Sequence, residues 1–497
     1  MGRETGARRK QLALLAAILG SGVGSLDGTI VNVALPTIQR SLGGGLAGEQ
    51  WIANGYLLTL GSLILVGGSL EDIFGARRIF SLGVGGFGAI SVLCALAPSI
   101  GALVAFRALQ GVAGAMLIPS SLALIVATFP EAKRGAAVGT WTAFTTVAVV
   151  IGPLLGGGLL AAGSWRLIFY VNIPFVLICL ALIRVAVPPV GGVRRRRRID
   201  FAGALACVLG LAGIVFALIE QPRFGWTSPA VVIPLAGGIT ALVAFVFIER
   251  ASADPMLPFG LFRRTNFTAT NVETFVIYAG LGVLLFFLIL FLQQVAGYSP
   301  LASGLSTLPV TVILFLASRP VGALASKHGP RLFMSAGPLL GAGLALTVAP
   351  LTATVLACVS ESEAGIASAI NNAVARVASL VATAATGSVL AAHFASELDS
   401  RLHGVPLNAP ARSAVLAAKH LALGHPPLHG LAPAAADTIS RAATAASVSS
   451  FHLAVAIAAA LLGIGGVIGG AAIRDPQLVG SPAQRGAVAP GDASSSE

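Results

Sequence analysis

The sequence predicts an all-α polytopic membrane protein, and three observations carry that prediction. Of 497 residues, 56% are hydrophobic and only 10% are charged, against about 25% charged in soluble domains. Apolar runs of about eighteen residues or more recur along the chain, each long enough to cross a hydrocarbon layer of ~30 Å as a helix. The basic residues fall in alternate loops: Arg77 and Arg78, Lys133 and Arg134, Arg194 to Arg198, Arg263 and Arg264, Lys327 and Arg331. The intervening loops are nearly uncharged, as between Gln293 and Ala302. This is the positive-inside pattern, which sets the N-terminus in the cytoplasm and the chain in the cytoplasmic membrane. It also accounts for the net charge of +12 without a nucleic-acid partner.

In chain order, the runs place spans near 12–35, 51–70, 79–97, 100–126, 136–160, 166–187, 201–219, 229–249, 271–293, 303–325, 333–359, 364–391 and 451–473. The first follows Arg8, Arg9 and Lys10 and mimics a signal peptide. It is too long for one and many spans follow, so it reads as an uncleaved first helix. Cys94, Cys179, Cys207 and Cys358 fall inside spans without ligand spacing and read as core residues. Residues 1–187 read as an N-terminal six-helix bundle. Residues 188–200, with Pro188, Pro189 and five consecutive arginines, read as a basic cytoplasmic linker. Residues 201–249 form two inserted helices, and 250–473 a C-terminal bundle with a long loop at 392–450. Residues 474–497 read as a disordered tail.

An internal repeat divides the chain. Gly68-Ser-Leu-Glu-Asp-Ile-Phe-Gly-Ala-Arg77 aligns without gaps on Gly322-Ala-Leu-Ala-Ser-Lys-His-Gly-Pro-Arg331. Gly, Leu, Gly and Arg recur at matching places, and Asp72 is matched by Ser326. A second echo sets Pro119, Glu131 and Gly135 against Pro350, Glu361 and Gly365. Two related halves in one membrane chain point to a secondary transporter, with its substrate site between the halves near the midplane. The second copy is shorter. Gly68 to Pro119 spans 51 residues and Gly322 to Pro350 spans 28, a shortfall of about one crossing. Residues 333–359 therefore read as two crossings fused into one. A C-terminus on the inside then requires this segment to turn back on itself, which Pro338, Gly341, Gly343 and Pro350 would allow.

Two charges stand inside apolar runs, Asp27 in the first and Arg107 in the fourth. An ionised group there costs at least a few kcal/mol and marks a functional-site candidate. At ~1.5 Å per residue, Asp27 lies roughly 22 Å from the cytoplasmic flank and Arg107 roughly 10 Å from the opposite one. Both land in the outer half, where they are expected to face each other across a shared cavity. A buried carboxylate beside a cation can exchange a proton for a cationic or polar substrate. The alternative is a static salt bridge that fixes helix packing.

Leu26-Asp27-Gly-Thr29-Ile30-Val31-Asn32-Val33-Ala34-Leu35-Pro36 resembles the first-helix signature of the fourteen-helix drug:proton antiporters of the major facilitator superfamily. Gly68 to Arg78 resembles the superfamily's cytoplasmic turn motif, without its basic residues at Ile73 and Ala76. Arg107-Ala-Leu-Gln110-Gly111 resembles its helix-four basic motif. Gly152-Pro153-Leu-Leu-Gly156-Gly157 resembles its helix-five antiporter motif, and Trp165-Arg166 with Asn172-Ile-Pro174 the start of helix six. The resemblance implies the major facilitator fold: two pseudo-symmetric bundles with two extra central helices, here one crossing short in the second.

It also implies proton-coupled efflux of amphipathic drugs or antibiotics by alternating access, with protons as the coupling ion and no other cofactor. Asp27 and Arg107 are the expected coupling pair. Gly68, Asp72, Gly75, Arg77 and Arg78 form the expected conformational latch, unless they are only a solvated turn. Gly152, Pro153, Gly156 and Gly157 are the expected hinge or seal, or else ordinary close packing. Glu273, Gln110 and Asn32 are candidate substrate or proton groups, though Glu273, near the start of its span, could instead snorkel to the interface. Arg376, inside the run 364–391, is open in the same way. The arginines 194–198 suit anionic lipid headgroups or serve only topology. His425 and His429 have a metal-like spacing, but Pro426 and Pro427 break any helix presenting both, so no metal site is expected. No Gly-Lys-Ser/Thr phosphate loop or nucleophile–base constellation is found, so neither ATP-driven transport nor an enzyme is expected. A specific metabolite or siderophore exporter, and a non-transporting membrane protein, are the alternatives.

Overall fold

The computed structural model describes residues 2–187, 199–339, 363–419 and 428–474, with scattered residues within 347–359 and 421–426. The described residues are helical throughout, without a strand. The first half holds α1 (Gly2–Leu42), α2 (Gly45–Phe74), α3 (Ala76–Ala95), α4 (Ile100–Thr128), α5 (Glu131–Ala161), α6 (Leu167–Tyr170) and α7 (Asn172–Ala186). α1 packs on α5 and α7, α2 on α4, and α4 on α3. Small residues allow the closest of these approaches. Gly67 of α2 lies on the backbone of Ala115 in α4, and Gly88 of α3 on Val176 of α7. The sixth crossing, expected as one span, is divided into α6 and α7 at Val171. Pro174 has no N–H to offer the carbonyl four residues earlier.

α8 (Phe201–Phe224) and α9 (Pro229–Ala251) pack on each other. Asp200 caps α8, its Oδ1 accepting from the Gly203 amide at 2.7 Å, as a short acceptor at an N-cap does. The arginines 194–198 and most of the expected linker lie outside the described residues.

The second half holds α10 (Thr265–Gln294), α11 (Pro300–Ser306), α12 (Leu308–His328), α13 (Pro330–Leu339), α14 (Ala364–Leu402), α15 (Ala409–Ala418) and α16 (Pro433–Ala472). α10 packs on α14 and α16, and α16 on α13. α8 lies across the seam between the halves: Leu211, Val215 and Ile219 cluster with Leu58 of α2 and with Leu380 and Ala384 of α14.

Three further expectations change. α2 begins at Gly45, not near 51, and takes Glu49 and Gln50 into the helix. The loop expected at 392–450 is mostly helix, because α14 runs on to Leu402 and α16 starts at Pro433. Those extensions are alanine-rich and carry i,i+4 ion pairs, Arg401–Glu397 at 3.1 Å and Arg441–Asp437 at 2.9 Å, both of which favour helix beyond the apolar run. The span expected at 303–325 is divided between α11 and α12 by Thr307.

Among the described residues, eleven helices are long and apolar enough to cross a membrane. The segment read as two fused crossings is only partly described, residues 340–346 and several beyond lying outside the described residues, but its ends are fixed. Arg331 donates to the Gly470 carbonyl at 2.7 Å, and Arg264, at the start of α10, pairs with Glu363 at 3.0 Å. Asn266 bonds the Arg474 carbonyl at 2.8 Å. Pro330 and Glu363 thus lie at the same end of the molecule, where α1 begins and α16 finishes. The stretch between them is too short for two full crossings of a ~30 Å layer at ~1.5 Å per residue.

The internal repeat survives in the backbone. Gly75 links α2 to α3 with φ 88° and ψ 141°, and Gly329 links α12 to α13 with φ 88° and ψ 145°. This region is nearly closed to residues with a β-carbon, at about 1–3 kcal/mol. Gly75→Val and Gly329→Val are each expected to lower the melting temperature of the purified protein. Gly85→Ala, in open space on α3, is expected to leave it unchanged or raised. Equal melting temperatures for all three would remove the conformational argument.

Candidate functional site

Asp27 and Arg107 are joined directly, and no cavity lies between them. An Arg107 Nη donates to Asp27 Oδ2, and the two residues are 1% and 0% exposed. The facing geometry expected from depth is thus replaced by contact. Gln110 and Asn172 both donate to Asp27 Oδ1, at 3.1 and 3.0 Å. Both side-chain amides also donate to the Ser91 hydroxyl, at 2.9 and 3.2 Å. Arg107 further donates to Gln110 Oε1 at 2.6 Å and to the Ile52 carbonyl at 3.3 Å. Its guanidinium lies over the Tyr56 ring at 4.4 Å and over Phe169 at 5.9 Å, within cation–π reach. One carboxylate thereby gathers α1, α2, α3, α4, α6 and α7.

The side chains reach one point because of helix spacing. Arg107 and Gln110 are three apart on α4 and share a face. Gly111, next in line, lets α4 close on the Tyr56 backbone and Thr59 of α2, and the Thr59 hydroxyl donates to the Ala108 carbonyl at 2.6 Å. Each oxygen of Asp27 has a donor, which is what a buried charge requires.

The family model of the Major Facilitator Superfamily matches residues 17–396. The chain belongs to this superfamily. Multidrug resistance protein Stp of Mycobacterium tuberculosis is 36% identical over 422 residues, covering 80% of this chain and 78% of that protein. Puromycin resistance protein pur8 of Streptomyces alboniger is 36% identical over 422 residues, with 76% and 84% covered. Methylenomycin A resistance protein of Streptomyces coelicolor is 31% identical over 423 residues, with 80% and 88% covered. Among solved structures, a bacterial homologue of the human lysosomal transporter Spinster superposes with a TM-score of 0.61 at 16% identity, covering 93% of this chain and 97% of that one. The fold is that of the major facilitators, in a multi-pass membrane protein.

The other superfamily motifs take these places. Gly152 and Gly156 of α5 lie on α1, against Thr29 and Ile30, one turn from Asp27. Gly157 faces Leu301, and the Pro153 carbonyl meets Gly304, both on α11. The helix-five motif therefore touches the carboxylate's helix on one side and the second half on the other. Asp72 is half-buried in the last turn of α2, while Arg77 is half-buried and Arg78 exposed at the start of α3. Gly68 sits opposite Pro119 of α4. Asn32, half-buried on α1, is not among the partners of Asp27. Glu273 does not snorkel. It is 0% exposed, lies beside Gly469 of α16, and neither carboxyl oxygen has a hydrogen-bond partner among the described residues.

A second polar set joins the two halves at the end bearing the α1–α2 turn. Gln294 donates to Glu49 at 2.7 Å, Gln50 to the Thr383 carbonyl at 2.7 Å, and the Thr383 hydroxyl to Asn54 at 3.1 Å. Gln293 donates to the Val33 carbonyl at 2.9 Å. Sequence reasoning missed this seam because it left Glu49 and Gln50 in a loop. It quoted Asn172 within a motif without a role, and nothing in the sequence distinguishes Ser91 from any other serine in an apolar helix. Among the described residues, no cluster of His, Cys, Asp or Glu could hold a metal ion; His425 lies outside them.

Truncating one partner of a buried ion pair costs about 3–5 kcal/mol. Arg107→Met is therefore expected to destabilise the purified protein strongly. Arg107→Lys keeps the charge but loses the planar fork, and should retain part of the stability. In the cycle with Asp27→Asn, the double variant is expected to be no less stable than Arg107→Met alone; additive losses would show that the two residues act independently.

Proposed function

We propose that the chain exports amphipathic drugs or antibiotics in exchange for protons, by alternating access across the cytoplasmic membrane, and that Asp27 carries the proton. The observation that carries the reading is the sealed Asp27–Arg107 pair, held by donors from α4 and α7. What supports the choice of substrate is the relatives, which are resistance proteins for puromycin, methylenomycin A and multiple drugs.

Protonation of Asp27 removes the counter-charge of Arg107 while the guanidinium is still buried. The resulting penalty, about 3–5 kcal/mol, is of the order of the ~5.5 kcal/mol that turns a 1:99 equilibrium into 99:1. It is exerted on α1 and α4, the helices that meet the Gly152–Gly157 motif and the seam. A proton entering from outside would loosen this arrangement and release substrate outward; its departure to the cytoplasm would reset it. Gln110 tunes the pair as a direct partner of both charges. The end bearing Arg77, Arg78, Arg134, Arg263, Arg264 and Arg331 is the cytoplasmic one by the positive-inside rule, which sets α1's start inside. There Asp72, Arg77 and Arg78 would form the latch of one access state. Among the described residues, the polar seam of Glu49, Gln50 and Gln294 then closes the outer side. Protons are the only cofactor in this scheme.

Asp27→Asn keeps a similar shape and removes the titrating group. In inside-out vesicles, dye movement driven by an imposed pH gradient is expected to fall to the rate of vesicles lacking the protein, with membrane insertion retained. Wild-type rates in this variant would remove Asp27 from coupling.

A further inference from the structure

Arg376 stands about a third of the way along α14, and among the described residues it has neither an ion pair nor a hydrogen bond. A β-carbon on Gly61, near the middle of α2, would lie 3.3 Å from that of Arg376, so the arginine faces the first half at mid-membrane depth. Its charge lies within reach of Tyr56 of α2 and Tyr278 of α10, one ring from each half. One turn further on, the Ser379 hydroxyl donates to the Tyr278 carbonyl at 2.9 Å and holds α14 against α10. Arg376 is half-buried, unlike Arg107 at 1% exposed. It is therefore not sealed into packing.

The local charge does not balance. Tyr56 also feels Asp27 and Arg107, but that carboxylate is already held by Arg107, Gln110 and Asn172. Tyr56 is packed on Arg107 and its hydroxyl donates to the Gly24 carbonyl at 3.3 Å, so what is left between the halves is the Arg376 guanidinium and the half-buried Tyr278 of α10. An unpaired cation at this depth is expensive to keep. It offers five donors in a fork that matches a carboxylate, and a phenolic ring such as that of Tyr278 suits an apolar or aromatic body. An organic cation would be repelled by it.

We propose that Arg376 is the recognition group of the substrate site and that the site takes an apolar body carrying one anionic head, a carboxylate or phenolate. The assignment rests on the transport reading for its purpose, but its test does not depend on proton coupling. Outward passage of an anion against an entering proton moves two charges in the direction favoured by an inside-negative membrane, each worth ~2.3 kcal/mol per 100 mV.

The test uses the full chain in phosphatidylcholine nanodiscs and three probes of one shape: pyrenebutyrate, its neutral methylamide, and a pyrenylbutyl trimethylammonium. Binding is read by fluorescence anisotropy and corrected against empty discs. The wild type is expected to bind the carboxylate about ten-fold more tightly than the amide, as one charge-assisted pair implies, and the ammonium least. Arg376→Gln should bring the carboxylate to the level of the amide and leave amide binding unchanged, which also reports that the protein is folded. Arg376→Lys should keep part of the preference, and with the wild-type series it decides the matter if Arg376→Gln is not recovered. Equal binding of all three probes by the wild type, a preference for the ammonium, or a preference surviving in Arg376→Gln would overturn the proposal. A competing anionic lysophospholipid serves as the lipid control: displacement of pyrenebutyrate by it alone, and not by free carboxylate, would assign the arginine to a lipid headgroup and overturn the proposal. Proton-driven efflux that survives Asp27→Asn would overturn the coupling reading and leave this binding result standing.

Discussion

One carboxylate withdrawn from water organises the first half of the molecule. Asp27 cannot stay charged at 0% exposure without donors, and its donors come from Arg107, Gln110 and Asn172 on two other helices. Each donor must be brought within about 3 Å, so the helices that carry them must approach α1 closely; around them Gly111 closes α4 on α2, and Gly152 and Gly156 close α5 on α1. Replacing the ion pair with apolar residues of similar volume would not by itself weaken such a bundle. A buried ion pair is thus weak evidence for stability, which leaves room for the switching role proposed above.

Much of this was legible in the sequence. Spans, their order, the two inserted helices and the glycine turn of the repeat follow from apolar run length and from one ten-residue alignment, and Gly75 and Gly329 share a backbone conformation. Asp27 and Arg107 were visible because charge in an apolar run is conspicuous. Their contact was not, since depth along two helices does not give rotation about them. Asn172, Ser91, Glu49 and Gln294 were harder still. Asn172, Ser91 and Gln294 are neutral and barely disturb a hydropathy profile, Glu49 stood just outside the expected span, and Asn172 and Gln294 lie 81 to 245 residues from their partners. The ends of α14 and α16 were hidden for a different reason. Helix outside the membrane is set by alanine content and local ion pairs rather than by an apolar run.

The two halves treat charge differently. The first encloses a matched pair, shielded by Tyr56 and Phe169. The second holds Glu273 without a partner among the described residues and Arg376 without a counter-ion there. Tyr56 lies between these regimes, touching Arg107 on one side and within the field of Arg376 on the other. A group bound at Arg376, as proposed, would therefore alter the field at the ring that covers the Asp27–Arg107 pair.

The inserted helix α8 has two kinds of contact with its neighbours. Along most of its length it meets both halves through Leu211, Val215 and Ile219, and apolar contact has no preferred direction. At its last turns, Glu220 accepts from Trp51 of α2 at 2.9 Å and Gln221 accepts from Ser388 of α14 at 2.7 Å. Adjacent residues thus clasp opposite halves, and these bonds are directional. In mechanical terms α8 is a strap pinned at one end and greased along the rest. If the halves rock as proposed, resistance would be least with the pin as fulcrum, and the wider excursion would fall at the far end, around Phe201.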